Sequence, residues 1–542
     1  MKYKNWLIIF IISIFTIALA LVPLWYAYSQ IPEGHQMAGI GRDDEYGLFA
    51  WAKQAQQGHW LFLNPYSLES VKRQLFNPLF LILGKLSLVL NNDLVLTFNL
   101  ARVGLGLVFL LTSYWFFGNF FRKKRARLAA FLILCFSSGL GWWLFFVPSA
   151  KAPFLFSAVS STEALSFPSL LFYPHFTAAL TMMMVCFVFY LRLVKSGKWS
   201  DWLVSCLAGS LLIATHPHES LALVLVPVVY LFLSQGASLK QWLRTFFYWV
   251  GLGPMVAYFG LLSQLDPVYK QFTQTPLAPL SWLDFIGAYG LLLPLAGWGA
   301  FKALTTKKSL KSRTDNYFAL AWVVTVMLLL LVPFGFQRKM VMGFHLPLVI
   351  LVVLGIKVWW MKIKSKFVAW SILIGLVLVL APQNLYFVKS RVAEISAEKE
   401  VYQLSDSFLK AQQWLEDNVE PESVILANPA IGLVTPAMAG RKVFLGHWGN
   451  TNFSEEKAEK LFTFLSSETD EVGRLNFFKE YSLDYYWHDQ EGVAYNRWVF
   501  NVERQKGIRI QELEKDFDPS QKDYLELVFE NSAAKIYKVD FK

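Results

Sequence analysis

Three consecutive acids, Asp43, Asp44 and Glu45, stand in the segment GRDDEYGLFAWAKQAQQG that follows the first long apolar stretch. Carboxylates beside a membrane surface are costly unless water, a metal or a polar substrate meets them. One of them can serve as a general base if it reaches an acceptor hydroxyl or amine within hydrogen-bond distance, while a neighbour binds a metal. The same acids also suit the positive end of a helix dipole, so a purely local role stays open. Tyr46, Phe49, Trp51, Ala52 and Ala55 recur behind them at helical spacing. The cluster is therefore expected at the first turn of an amphipathic helix at the outer membrane–water boundary.

Other groups invite the same question. Glu163, in SSTEALSFPSLLFYPHF, precedes Tyr173 and His175 at the top of a span. It is either a second acid of a metal or substrate cradle, or a solvated loop residue beside an interfacial aromatic belt. His216, His218 and Glu219 form THPHES, where two imidazoles and a carboxylate could bind metal. Pro217 makes the two histidines diverge, so a tight polar turn is the competing account. Arg338 and Lys339, in FGFQRKMVMGFH, are cations on the outer side, where charge rules disfavour them. They point to a lipid phosphate, which Arg can grip with a bidentate fork, or to snorkelling side chains. Arg102, near the outer end of its span, is placed to join them. His447 and Trp448, on a Gly-rich turn, could contact sugar or simply pack the turn.

The elements that must hold these residues follow from hydropathy and charge. Of 542 residues, 55% are hydrophobic and 17% aromatic, more apolar surface than a soluble fold of this size hides. Apolar runs occur near 6–28, 94–117, 128–147, 171–193, 201–216, 219–234, 244–262, 283–301, 316–335, 341–360 and 367–388. Alternating from a cytoplasmic N-terminus with Lys2 and Lys4, the basic clusters Arg122–Arg127, Lys195 and Lys198, Lys240 and Arg244, Lys302–Arg313 and Lys362–Lys366 all fall inside. This reading needs Phe76–Leu90 to be an interfacial helix and not a span. The outcome is about eleven spans in a plasma (cytoplasmic) membrane, multi-pass, with the C-terminal part extracytoplasmic. Residues 1–28 read as an uncleaved signal anchor.

Only 12 of the 39 acids precede residue 389, and this topology turns ten of them outward. The net charge of +11 reflects loop cations and implies no nucleic-acid partner. The three cysteines lie in apolar runs and suggest no disulfide framework. The division is a transmembrane region, 1–388, with a first outer loop at 29–93, and an α/β domain at 389–542. In the latter, Ser405–Asn418 and Ser454–Leu465 read as helices, with Ser405 and Ser454 as caps. Val424–Ala427, Lys442–Leu445 and Leu483–Trp487 read as strands. Tyr524–Phe529 and Ala534–Val539 read as a hairpin. This domain is expected to cover the membrane site without carrying the chemistry.

The acidic segment also resembles a motif of the GT-C superfamily of polytopic membrane glycosyltransferases, which includes protein O-mannosyltransferases and aminoarabinose transferases. Its members carry D-[DE]-x-x-Y after the first span, followed by a helix and G-[DHN]-W; here Asp43-Asp44-Glu45-Tyr46 and Gly58-His59-Trp60 occupy those places. The Tyr falls one place early, which leaves Asp44 as an alternative to Asp43. The resemblance implies an α-helical, GT-C-like membrane fold and transfer of a sugar from a polyprenyl-phosphate-linked donor to a glycan, lipid or protein acceptor. Asp43 and Asp44 would be catalytic. Glu45, Glu163, His175, Arg102, Arg338 and Lys339 would bind substrate. A divalent metal, Mg or Mn, is a further expectation, with Asp44, Glu163, His216 and His218 as candidate ligands. A transporter or lipid flippase would show mid-bilayer ionisable residues and paired repeats, which the sequence lacks. A non-catalytic scaffold displaying the C-terminal domain would tolerate loss of Asp43.

Overall fold

The computed structural model describes residues 2–70, 72–140, 142, 163–234, 236–274, 282–305, 310–333, 335–360, 363, 365–493 and 499–540. Parts of the apolar run 128–147, of the SSTEALSF loop and of the basic loops near 306 and 362 lie outside them. The chain forms two compact units: residues 1–23, 100–261 and 276–393 make the first, and residues 24–99, 262–275 and 394–542 the second.

The first unit is helical, and this is a multi-pass membrane chain. Among the described residues five helical stretches are long and apolar enough to cross a bilayer: Leu94–Phe120, Pro174–Ser196, Leu239–Leu265, Gln337–Lys357 and Trp370–Ala397. The pair Trp6–Ala20 and Val22–Ser29, bent by 47°, makes a sixth if it acts as one span. Trp199–Thr215, Pro217–Leu233 and Tyr317–Leu329 are apolar but shorter. Two expected runs are interrupted. The run 283–301 divides into Trp282–Tyr289 and Leu292–Thr305 because Gly290, at φ +48°, leaves the helical region. The run 367–388 passes through Pro382, which starts a new helix, Pro382–Ala397, after Lys366–Leu380. Helices cross closely where a side chain is missing: a Cβ on Gly299 would lie 1.8 Å from the Leu351 carbonyl oxygen. Cys135, Cys186 and Cys206 are buried free thiols.

The second unit is built around a mixed five-stranded sheet. Its strands are β3 (Val424–Leu426), β4 (Lys442–Val443), β5 (Tyr485–Asp489), β6 (Leu525–Glu530) and β7 (Ala534–Val539), in the order β4-β3-β5-β7-β6. The β3 strand runs parallel to both β4 and β5, and the β6–β7 hairpin adds antiparallel to β5. Leu426, Phe444, Leu461, Phe464, Phe478, Tyr486, Phe517 and Tyr537 form a buried core.

Residues 24–99 pack in this unit. The strand β1 (His35–Met37) pairs antiparallel with β2 (Gln403–Ser405), and the helix Arg42–Gln56 lies against the helices Pro78–Ser87 and Pro429–Met438. A Cβ on Gly84 would stand 2.1 Å from the Ala52 carbonyl oxygen, so the first two helices meet backbone to backbone. The Pro78–Ser87 helix, capped by Asn77, occupies the segment expected as interfacial, and Ile82, Leu86 and the following Leu88 and Val89 are exposed.

Candidate functional site

The acidic helix carries its carboxylates at three depths. Asp43 is half-buried, Asp44 exposed and Glu45 buried. The Gly41 N–H donates to Glu45 Oε2 at 2.6 Å, which satisfies one of the orphan donors at the helix start. Tyr46 is buried beside them. Burial first, then the charges of Glu45 and Asp43, push its phenol far up, so it stays neutral. Phe49 meets Phe98 edge to face at 4.7 Å and anchors the opposite side of the helix. At the far end Gly58, at φ +104°, turns the chain out of the helix, and Trp60 is exposed.

The C-terminal segment reaches this helix directly. His447 is 5% exposed, and its Nε2 lies 3.4 Å from Asp44 Oδ1. Its Nδ1 accepts from the backbone N–H groups of Gly449 and Asn450, at 3.0 and 3.1 Å. The turn that follows is clamped from the first outer segment. Asn64 Nδ2 and Ser67 Oγ donate to the Asn450 carbonyl at 2.6 and 2.9 Å, and the Asn452 N–H donates to Ser67 Oγ at 2.8 Å. Lys53 on the acidic helix pairs with Glu416 at 2.7 Å. The His447 ring stacks on Trp448 and lies 5.8 Å from the Tyr66 ring.

In the first unit a second polar group forms where two helix ends meet. Pro217 cannot continue the preceding helix and pushes His216 to φ −144°, ψ 81°. Pro217–Glu219 makes one 3₁₀ turn before the helix Ser220–Leu233 starts. His216 stacks on His175 at 5.9 Å and meets His218 edge to face at 5.7 Å. Its Nδ1 stands 3.6 Å from Glu219 Oε1, both groups being buried. The His218 ring rests on Phe336 at 4.6 Å, which leads into the turn Gln337–Val341 that carries Arg338 and Lys339. The Lys339 charge acts on His216, His218 and Glu219, and the Glu163 charge acts on Glu219.

Thus His175, His218 and Glu219 gather around His216 within the first unit, with Lys339 and Glu163 acting on the group. Arg338, next to Lys339, is exposed. Arg102 is 2% exposed and donates through Nε to the Phe172 carbonyl at 2.8 Å. Asp43, Asp44 and Glu45 come together within the second unit. Among the described residues no three His, Cys, Asp or Glu side chains form a group able to hold a metal ion.

Three features escape the sequence reading. The contact of His447 with Asp44 joins residues with no local signal, as does the Asn64–Asn450 clamp across 386 positions. His345 is buried, with Nε2 3.1 Å from Ser137 Oγ and Nδ1 3.0 Å from Ser166 Oγ.

No family model matches the chain, and no curated protein sequence does. Solved structures do. An Archaeoglobus fulgidus oligosaccharyltransferase tethered with an acceptor peptide is 10% identical, covering 97% of this chain and 74% of its own, with a TM-score of 0.54. The archaeal oligosaccharyltransferase AglB from the same organism, in complex with an inhibitory peptide and a dolichol-phosphate, is 11% identical, covering 90% and 70%, at 0.53. ArnT from Cupriavidus metallidurans bound to undecaprenyl phosphate is 10% identical, covering 99% and 98%, also at 0.53. At this identity the likeness concerns architecture alone, and it runs through nearly the whole chain: the protein shares the fold of these oligosaccharyltransferase and ArnT structures.

Proposed function

We propose that this chain is an integral membrane glycosyltransferase that moves a sugar from a polyprenyl-phosphate-type lipid donor to an acceptor on the outer face of the membrane. The observation that carries the reading is the chain-length GT-C fold with Asp43–Glu45 on the first turn of the helix where the motif resemblance places the base. The neighbours bound to dolichol-phosphate and undecaprenyl phosphate support a lipid phosphate as leaving group.

In this reading Asp43 takes the proton of the acceptor hydroxyl or amine as that atom attacks the anomeric carbon. The bond from that carbon to the phosphate oxygen breaks, and its electron pair leaves on the polyprenyl phosphate, with inversion. Asp44 and Glu163 orient the sugar, Glu45 fixes the start of the helix that presents both aspartates, and His175 lines the donor side. Lys339, with Arg338 at the rim, balances the charge of the leaving phosphate, and Arg102 braces the helix beside it. Such a donor carries its own leaving group, so the protein supplies positioning and electrostatics.

The orientation belongs to the same proposal: RKKRAR inside, the C-terminal segment outside. Cysteines introduced at Ser467 and Lys124 test it, because Ser467→Cys should label in sealed cells and Lys124→Cys only after the membrane is breached. The function is tested in membrane vesicles carrying metabolically tritiated lipid-linked sugars. Transfer of label that depends on this chain and is lost with Asp43→Asn and Asp44→Asn together supports the reading. Chain-dependent transfer unaffected by that double variant overturns it.

A further inference from the structure

We propose that His447 is a positioning residue for Asp44, so that the C-terminal segment takes part in the chemistry at the acidic helix. The inference rests on the transferase reading above and adds a residue to its site.

The argument starts from the two ring nitrogens. Nδ1 of His447 accepts two backbone N–H groups, from Gly449 and Asn450. A nitrogen that accepts cannot also carry the proton, so the hydrogen-bond network assigns the ring proton to Nε2. Nε2 lies 3.4 Å from Asp44 Oδ1. The tautomer is therefore set by the main chain of the turn, and the proton-bearing nitrogen is the one beside Asp44. The ring itself has little freedom: it is 5% exposed and lies between Tyr66 and Trp448.

The turn is held against the helix by independent means. A Cβ on Gly47, one helical turn beyond Asp44, would come within 2.8 Å of Asn450 Nδ2 and 3.6 Å of His447 Cδ2. A side chain there would have to displace the Asn450 amide, so the turn lies directly against the helix. Asn64 and Ser67 then lock the Asn450 carbonyl from the other side. Asp44 is the exposed member of the triad, and a donor held beside Oδ1 favours the rotamer that keeps that oxygen at His447.

The test uses His447→Phe, which keeps a ring between Tyr66 and Trp448 but removes the donor, and His447→Gln, whose amide restores one. In the vesicle transfer assay the Phe variant should lose about 10- to 100-fold in rate while binding of undecaprenyl phosphate changes less than about twofold. His447→Gln should recover most of the rate. Adding His447→Phe to Asp44→Asn should cost nothing further. An unchanged rate in a folded Phe variant, or additive losses in the double variant, would overturn the role. A readout independent of turnover separates this failure from failure of the transferase reading. In protein with ¹⁵N-labelled histidines, His447 should show the Nε2–H tautomer, and that signal should shift on Asp44→Asn. A proton on Nδ1 would sink the proposal whatever the protein transfers.

Discussion

At the acidic helix the carboxylates step from half-buried Asp43 to exposed Asp44 to buried Glu45, and a histidine from a distant part of the chain meets the exposed one. At the 216–219 turn the arrangement is inverted. His216 and Glu219 are buried against each other, and the cations Arg338 and Lys339 form the rim. A group that must exchange a proton with an incoming acceptor has to be reached, as Asp43 and Asp44 can be. A group packed away from water carries charge only at a cost unless it is paired, so the buried turn suits holding a shape beside the rim cations more than exchanging protons. Exposure thus divides the polar residues into those an acceptor can reach and those fixed by packing.

Asp43→Asn tests the first half of this division most severely. General-base loss should cost about 100- to 10,000-fold in transfer rate, whereas Asn is as good a residue as Asp at a helix start. Full activity in the vesicle assay would reduce Asp43 to a helix-terminal acid. If Asp44→Asn were then inactive, the base would move by one residue.

The second half is tested by separating the two cations. Lys339 is half-buried and acts on His216, His218 and Glu219, whereas Arg338 is exposed. Lys339→Ala should weaken undecaprenyl phosphate binding by about 1.5–3 kcal/mol, the worth of a charge-assisted contact. Arg338→Ala should cost well under that. Equal losses, measured by thermal shift across a lipid titration, would remove the distinction between rim and packed cation.

A third test asks what a buried acid does far from either group. Glu514 is 2% exposed, and burial pushes its carboxyl up to about 8, despite the Asn428 amide donating to it at 2.7 Å and the Tyr486 hydroxyl at 3.2 Å. The folded state therefore holds a proton that the unfolded chain releases above its ordinary value near 4.5. That contribution is complete below pH 4.5 and is lost as pH rises through 8. Between those limits stability should fall by roughly 1 kcal/mol per pH unit. Glu514→Gln should flatten the slope in thermal melts of the purified chain, and an unchanged slope would contradict the assignment.

The smallest expected effect separates a real cap from an apparent one. Asp470 Oδ1 accepts from the Gly473 N–H at 2.7 Å, so Asp470→Ala should cost about 1 kcal/mol. Ser454→Ala should cost less than half of that, because the helix Ser454–Leu465 already starts at Phe453, in the left-handed region at φ +56°, without a side-chain cap. Paired melts of the two variants read the difference.

That last pair shows where sequence reading succeeds and stops. Ser405 caps the helix Asp406–Asn418 as expected, accepting from the Phe408 N–H at 3.0 Å. The strands β3, β5, β6 and β7 lie where β-branched and aromatic residues cluster. Ser454 has the right chemistry but sits one residue inside, since the positive φ of Phe453 depends on packing and not on local preference. The helix Pro429–Met438 went unread although Asn428 followed by Pro429 is a start signal; two prolines in an apolar run hid it. In the candidate site, the acids and the histidine turn were visible from residue type and spacing. The partners that aim them were not, because His447 and Asp44, or Lys339 and Glu219, are joined only by tertiary structure.

The pairing of β1 with β2 sets an order of events in time. His35–Met37 and the acidic helix emerge from the ribosome well before their partners at Gln403–Ser405 and His447. The closing contacts span a long stretch of the polypeptide, and long-range pairing of this kind is slow because a large loop must close first. During insertion the acidic segment must therefore wait as an incomplete surface, exposed to chaperones and proteases. Protease resistance of residues 24–99 should then appear only once translation has passed His447, so that the maturation of this segment is timed by strands made long after it.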